Sequence, residues 1–152
     1  MSTLKVDTYL TRGGASEIAI DKIKGVTAAG SMLVVGEGGT NTTNLQQGLA
    51  KAWVNFTGVT TTAARDSFNV SSLTDNSTGI TTVNINNDMG NANYSGYYFT
   101  NAATGSAADS FDNQHAGGFG SFATGSCQAV AYTASAVVDS FQNLLGTFGD
   151  LA

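Results

Sequence analysis

The stretch NLQQGLAKAWVNFTG, residues 44–58, changes period in its middle. Asn44 suits a helix N-cap, and LQQGLAK supplies about two turns with Leu45 and Leu49 on one side, four residues apart. Gly48 weakens that helix. Two turns are not stable alone in water, so the leucine pair has to dock on something. From Lys51 the period becomes two. Ala52, Val54 and Phe56 share one face, and Trp53, Asn55 and Thr57 share the other. Trp53 is the only Trp of the chain. The stretch reads as the boundary between an assembly segment and a displayed domain.

Toward the N-terminus the chain is thin in apolar surface. TLKVDTYL (3–10) alternates, with Leu4, Val6 and Leu10 on one face. EIAIDKI (17–23) places Ile18 and Ile20 together, MLVVGE (32–37) reads as a third short strand, and GEGGTNTTN (36–44) reads as a linker. Three such strands are marginal in isolation. The arm is therefore expected to be completed by other copies of the chain. Leu4, Val6, Leu10, Ile18, Ile20, Leu45, Leu49 and Trp53 are the candidate oligomer and attachment interface.

Toward the C-terminus short strand patterns follow one another. RDSFNVSSL (65–73) puts Phe68 and Val70 on one face, TDNSTG (74–79) reads as a turn, and ITTVNIN (80–86) aligns Val83 with Ile85. NDMGNAN (87–93) is a loop and YSGYYFT (94–100) an aromatic strand. FDNQHAGGFGSFATG (111–125) is ambiguous between strand and loop. SCQAVAYTA (126–134) alternates, and VVDSFQNLLGTF (137–148) reads as either the closing strand or a short helix, the strand being favoured by its Val-Val start and Gly-Thr-Phe-Gly end. Regular short strands separated by turn signals indicate a sandwich or jelly-roll domain. The triplet DSF recurs unevenly, with unlike flanks, and marks no repeat.

Composition agrees. The 152 residues include 19 Gly, no Pro and only 11% charged side chains, against 41% hydrophobic ones. That hydrophobic share argues against disorder. Hydroxyls and amides, rather than charges, keep such a surface wet, and they favour β-structure with tight turns. The charges are unevenly placed. The first 65 positions hold all six basic residues and four acidic ones, a net of +2; from Asp66 onward there are seven Asp and no Lys or Arg, a net of −7. A +2 arm is too weak a footprint for nucleic-acid binding. No apolar run is long enough for a membrane-spanning helix, and the N-terminus does not read as a secretory signal. A single cysteine, Cys127, excludes an intrachain disulfide. Five Asn-x-Ser/Thr matches begin at Asn41, Asn55, Asn69, Asn76 and Asn93, and in an Asn/Thr-rich chain they read as coincidence.

The residues offer little for catalysis. A nucleophile needs an adjacent base. His115 is the only His, and no signature surrounds it or Cys127; Cys127 alternates with Ala129 and Ala131 as a small buried hydrophobe would. A zinc site needs three or four suitable ligands, which the chain does not supply. Asp88 with Asn86 and Asn87, or Asp109 with Asp112, offers oxygen atoms of the kind calcium takes, but solvated loops account for them. GEGG (36–39) lacks the following Gly-Lys-Ser/Thr of a phosphate loop. Nothing selects a carboxylate pair for glycoside hydrolysis. The expectation is a non-enzymatic protein without cofactor or metal.

AKAWVNFTG followed by RDSFNVSSLTDNSTGITTVNIN resembles a module of structural proteins in marine and cyanobacterial bacteriophages. In that family an Ala-Lys-Ala-Trp-Val-x-Phe strand leads through a turn to Asp-Ser-Phe-Asn-Val-Ser-Ser, a Thr-Asp-Asn-x-x-Gly turn and a Thr-Val-Asn strand. Residues 50–86 carry the match, and STLKVDTYLTR is similar to the N-termini of tail-fibre-like proteins. Beyond about residue 101 the likeness is one of composition only. The resemblance implies a homotrimeric virion protein with an intertwined arm and outward β-domains. It does not separate a tail fibre from a capsid decoration protein.

The expectation is thus an all-β chain: an N-terminal attachment and oligomerisation arm (1–43), a short helical connector (44–51) and a β-sandwich or jelly-roll-like head (52–152). Its expected role is a tail-fibre-like virion appendage, assembled in the host cytoplasm, trimeric, and anchored by its arm to virion proteins of tail, vertex or capsid. No membrane insertion and no nucleic-acid partner are expected. Tyr94, Tyr97, Tyr98, His115 and Phe119 are the candidate host-facing residues. The alternatives are a capsid decoration, cement or capsid-fibre protein and, less favoured, a glycan-degrading tail protein.

Overall fold

A computed structural model describes residues 32–37, 39–101, 116–133 and 135–152. The described chain is mostly β, in several antiparallel sheets, as the sequence indicates. Strands β1 (Leu33–Val35) and β2 (Thr42–Asn44) form a two-stranded sheet. Helix α1 (Leu45–Gly48) follows. Strands β3 (Ala50–Thr57), β4 (Ala63–Phe68), β7 (Ser95–Asn101) and β10 (Gln142–Phe148) form the first four-stranded sheet, in the order β4-β3-β10-β7. The second, in the order β5-β6-β9-β8, contains β5 (Val70–Ser77), β6 (Ile80–Ile85), β8 (Ala116–Ala123) and β9 (Ser126–Tyr132).

The two four-stranded sheets share one apolar core. Ala52, Val54 and Phe56 of β3 and Leu145 of β10 enter it from the first sheet; Val83 and Ile85 of β6 and Cys127 and Ala129 of β9 enter it from the second. Met89 and Tyr94 complete the cluster. The inward parity of β3, the pairing of Val83 with Ile85 and the burial of Cys127 are as read from the sequence. Each fully buried side chain of the size of Phe56, Leu145, Val54 or Val83 contributes about 1.5–3 kcal/mol through water released from its surface.

Where the ladder is irregular, side chains replace the missing backbone bonds. A register shift falls between Thr147 and Phe148, and there the buried Thr147 hydroxyl accepts from Ala52 N at 3.1 Å and donates to Ala52 O at 3.4 Å. Asn143, also buried, donates through Nδ2 to Ser140 O at 2.9 Å and Phe56 O at 3.3 Å. Its Oδ1 accepts from the hydroxyls of Tyr98 (2.5 Å) and Thr100 (3.2 Å). This amide is a four-bonded pin joining β10 to β3 and β7.

The boundaries differ from the sequence reading in four places. RDSFNVSSL is two strands, not one: Asn69 adopts φ 56° and breaks the run, so β4 ends in the first sheet and β5 begins in the second. The Asn69 side chain holds the crossing, donating to Lys51 O and Asn87 O and accepting from Asn87 N. β5 continues through Ser77, so the expected six-residue turn shrinks to Thr78–Gly79. The linker GEGGTNTTN contains β2. α1 is one turn long, because Leu49 already has extended angles (φ −92°, ψ 140°) and acts as its C-cap. Asn44 does serve as the N-cap, with its side chain accepting from Gln47 N. Two bonds tie the connector down: Gln47 Nε2 donates to Asp150 Oδ2, just past β10, and the buried Lys51 ammonium of β3 donates to Gln46 O.

Candidate functional site: the outer face of the first sheet

The faces of the first sheet follow from its register. Directly opposed residues of an antiparallel pair point to the same side. Trp53 opposes Phe68 of β4 and Gly146 of β10, and Gly146 opposes Tyr97 of β7. One row across the outer face is therefore Phe68, Trp53, Gly146, Tyr97. The adjacent row is Asp66, Asn55, Leu144, Phe99 by the same pairings. Phe68, Tyr97, Phe99 and Leu144 are all exposed, Phe99 by 64%. A groove of about 560 Å³ runs over these rows, lined by Trp53, Asn55, Asp66, Tyr97, Phe99 and Leu144 among others.

The aromatic side chains are organised, not scattered. Tyr97 packs on Phe99 (ring centres 5.7 Å apart) and on Phe148 (6.1 Å). Gly146 gives Tyr97 room: a Cβ there would stand 2.5 Å from the tyrosine Cζ. Polar groups edge the groove. Asp66 Oδ1 accepts from Ser67 N at 2.8 Å. Asn55 Oδ1 accepts from Arg65 at 3.3 Å. The Arg65 guanidinium also donates to Phe56 O and Phe141 O and lies 4.6 Å from the Phe141 ring centre, so it is held to the sheet.

The candidate residues read from sequence separate on this geometry. Trp53 and Tyr97, assigned to different roles, meet on one face. Trp53 is half-buried, and its opposed neighbours Phe68 and Gly146 both belong to the sheet. Tyr94, Tyr98 and Phe119 turn inward, which corrects their expected display. Tyr94 is buried, with its hydroxyl donating to Ser126 O and Ala123 O; Tyr98 bonds Asn143; Phe119 packs against the core. The parity of YSGYYFT is set by Gly96, whose missing side chain admits the Phe119 ring on the inner face. Alternate residues Tyr97 and Phe99 are thereby turned outward. Burial pushes the Tyr98 phenol up to about 12 and the Cys127 thiol up to about 11. Tyr94 is raised further, by burial first and by the adjacent Cys127 second. These groups stay neutral and serve the core.

Leu45 is half-buried, and Leu49 is 53% exposed, so the two do not form one helical face. Leu4, Val6, Leu10, Ile18, Ile20 and His115 lie outside the described residues, as do Asp109 and Asp112. Among the described residues no group of three or more His, Cys, Asp or Glu stands close enough to hold a metal ion, and no helix is long and apolar enough to cross a membrane. Phe99, Leu144, Asn55, Asp66 and Gly146 were not singled out in the sequence. Phe99 shares the parity of Tyr97 and was findable; Gly146 and Leu144 needed the register of β10.

Comparison with protein families, with characterised proteins and with solved structures returns no match.

Proposed function

We propose that this chain is a non-enzymatic structural protein of a bacteriophage virion: a β-sandwich head displayed outward on a homotrimer that is joined through its N-terminal arm. One observation carries the reading. The described part of the arm keeps its apolar side chains in water: Leu33, Val34 and Val35 of β1 are each at least 50% exposed, and so is Leu49 in the connector. Three consecutive apolar residues exposed on both faces of a two-stranded sheet are a surface that needs a partner. The likeness of residues 50–86 to phage structural modules supports the particle as the place where the partner is found. The two sheets packed on one core support the sandwich.

The test is made on the particles. Mass spectrometry of purified virions of the phage that encodes the chain recovers it in stoichiometric amounts if the reading holds. Its absence from the purified wild-type virions overturns the reading. A capsid decoration role is the second reading, favoured by the same exposed arm. Virions lacking the chain that adsorb normally but break under heat support decoration; virions that stay intact but fail to adsorb support the appendage.

A further inference from the structure

We infer that the outer face of the first sheet is a binding surface for a neutral oligosaccharide, with the sugar rings lying across Trp53, Tyr97 and Phe99. This deepens the proposed function and rests on its outward display of the head. Four observations converge.

The first is size. A groove of about 560 Å³ falls within the roughly 300–1,000 Å³ typical of small-ligand sites, with a mainly apolar lining that includes three aromatic rings and few polar groups. The second is the lining itself. Trp53 and Tyr97 stand in one row, on strands separated only by β10, and Phe99 stands in the next. Neighbouring strands are about 4.8 Å apart, so the rings form a broad platform. The face of an aromatic ring is electron-rich. A pyranose offers it polarised C–H groups on one side and presents hydroxyls around its edge.

The third is the position of the polar groups. Asp66 and Asn55 stand in the row beside Trp53. The Asp66 carboxylate uses one oxygen on Ser67 N, and its other oxygen has no partner among the described residues. Asn55 is engaged through its oxygen, and no described residue takes its amide N–H groups, which can donate to a ligand. An acceptor and a donor at the edge of an aromatic platform match the hydroxyls of a sugar.

The fourth is charge. Among the described residues the cations are Lys51, buried against Gln46 O, and Arg65, held by Phe56 O, Phe141 O and Asn55. Both point their N–H groups at neutral oxygens of the sheet and connector, so an acidic sugar would meet Asp66 with no described cation directed at it. The described part of a second head would bury Asp66 and present it no cation beyond a tethered Arg65, which is costly. A neutral, hydroxyl-rich ligand satisfies the carboxylate without either penalty.

Trp53 reports on its own site, because the chain has no other Trp. The full chain is screened on an array of neutral glycans built from glucose, galactose, mannose and N-acetylhexosamines, with sialylated and sulfated glycans beside them. The best neutral glycan is then titrated in solution against Trp53 fluorescence. The expected result is a saturable change, weakened about tenfold or more by Tyr97→Ala and by Asp66→Ala at unchanged melting temperature. Three results overturn the inference: no neutral glycan binds; acidic glycans bind better; or Phe99→Ser lowers the mass in solution, which means that copies of the chain cover the face. The assembly reading fails separately. A monomer that binds the glycan keeps this inference and loses the trimer, and a trimer that binds no glycan does the reverse.

Discussion

Tyr97 and Gly146 face each other across β7 and β10, and the tyrosine ring occupies the space where any larger residue at 146 would project. Gly146→Ala is therefore expected to drive the ring off β10. The ring end can swing, so the cost is that of modest overpacking, about 1–3 kcal/mol. Near-UV circular dichroism should change while the far-UV spectrum does not. A crystal structure of the variant with Tyr97 unmoved contradicts this account of the face.

Asn143 makes its four side-chain bonds in a buried setting. Asn143→Leu keeps the volume but takes the acceptor from the Tyr98 hydroxyl; Ser140 O retains Gly58 N and Phe56 O retains Arg65. Each group left buried without a partner costs about 1–3 kcal/mol. A loss of about 2 kcal/mol is expected for that one group, lowering the melting temperature by roughly 4–8 °C. Calorimetry checks it, and a shift under 2 °C, well short of that estimate, rejects the pin.

Asn69 separates conformation from hydrogen bonding. Asn69→Gly loses the side-chain bonds but accommodates φ 56°; Asn69→Ala loses the same bonds and adds the cost of a left-handed residue, about 1–2 kcal/mol. The alanine variant should be the less stable of the two in urea unfolding. Equal stabilities would mean that the crossing from β4 to β5 does not depend on the positive φ.

Stability should fall in alkali. Burial raises Cys127 from 9.0 to about 11 and Tyr98 from 10.0 to about 12. In the unfolded chain both lose their protons earlier, so above pH 9 the folded state binds more protons and unfolding becomes easier as pH rises. Below pH 9 this contribution is fully present, and it is lost progressively up to about pH 12. Urea midpoints at pH 7, 9 and 11 measure the slope, and Cys127→Ala should remove its earliest part, between pH 9 and 10. A midpoint independent of pH over this range contradicts the burial of these groups.

These residues also indicate what the sequence could and could not convey. The inward faces of β3, β6 and β9 were legible because small and branched apolar residues alternate there with polar ones. The break at Asn69 was not, since an asparagine at positive φ looks like any polar residue inside a strand. β2 was hidden because a Thr/Asn tract lacks apolar alternation. The groove was hidden for the opposite reason. Aromatic residues occupy both faces of β7, so period alone does not say which face meets water, and the pairing of Trp53 with Gly146 and Tyr97 exists only once β10 is in register.

Light scattering of the purified full chain tests the central claim most directly, because an exposed Leu33–Val35 strand and an exposed Leu49 are unreasonable in a solitary chain. A mass of three chains is expected, reduced by joint substitution of Leu33 and Val35 with Ser while the head keeps its circular dichroism. A folded, monodisperse single chain would contradict the account.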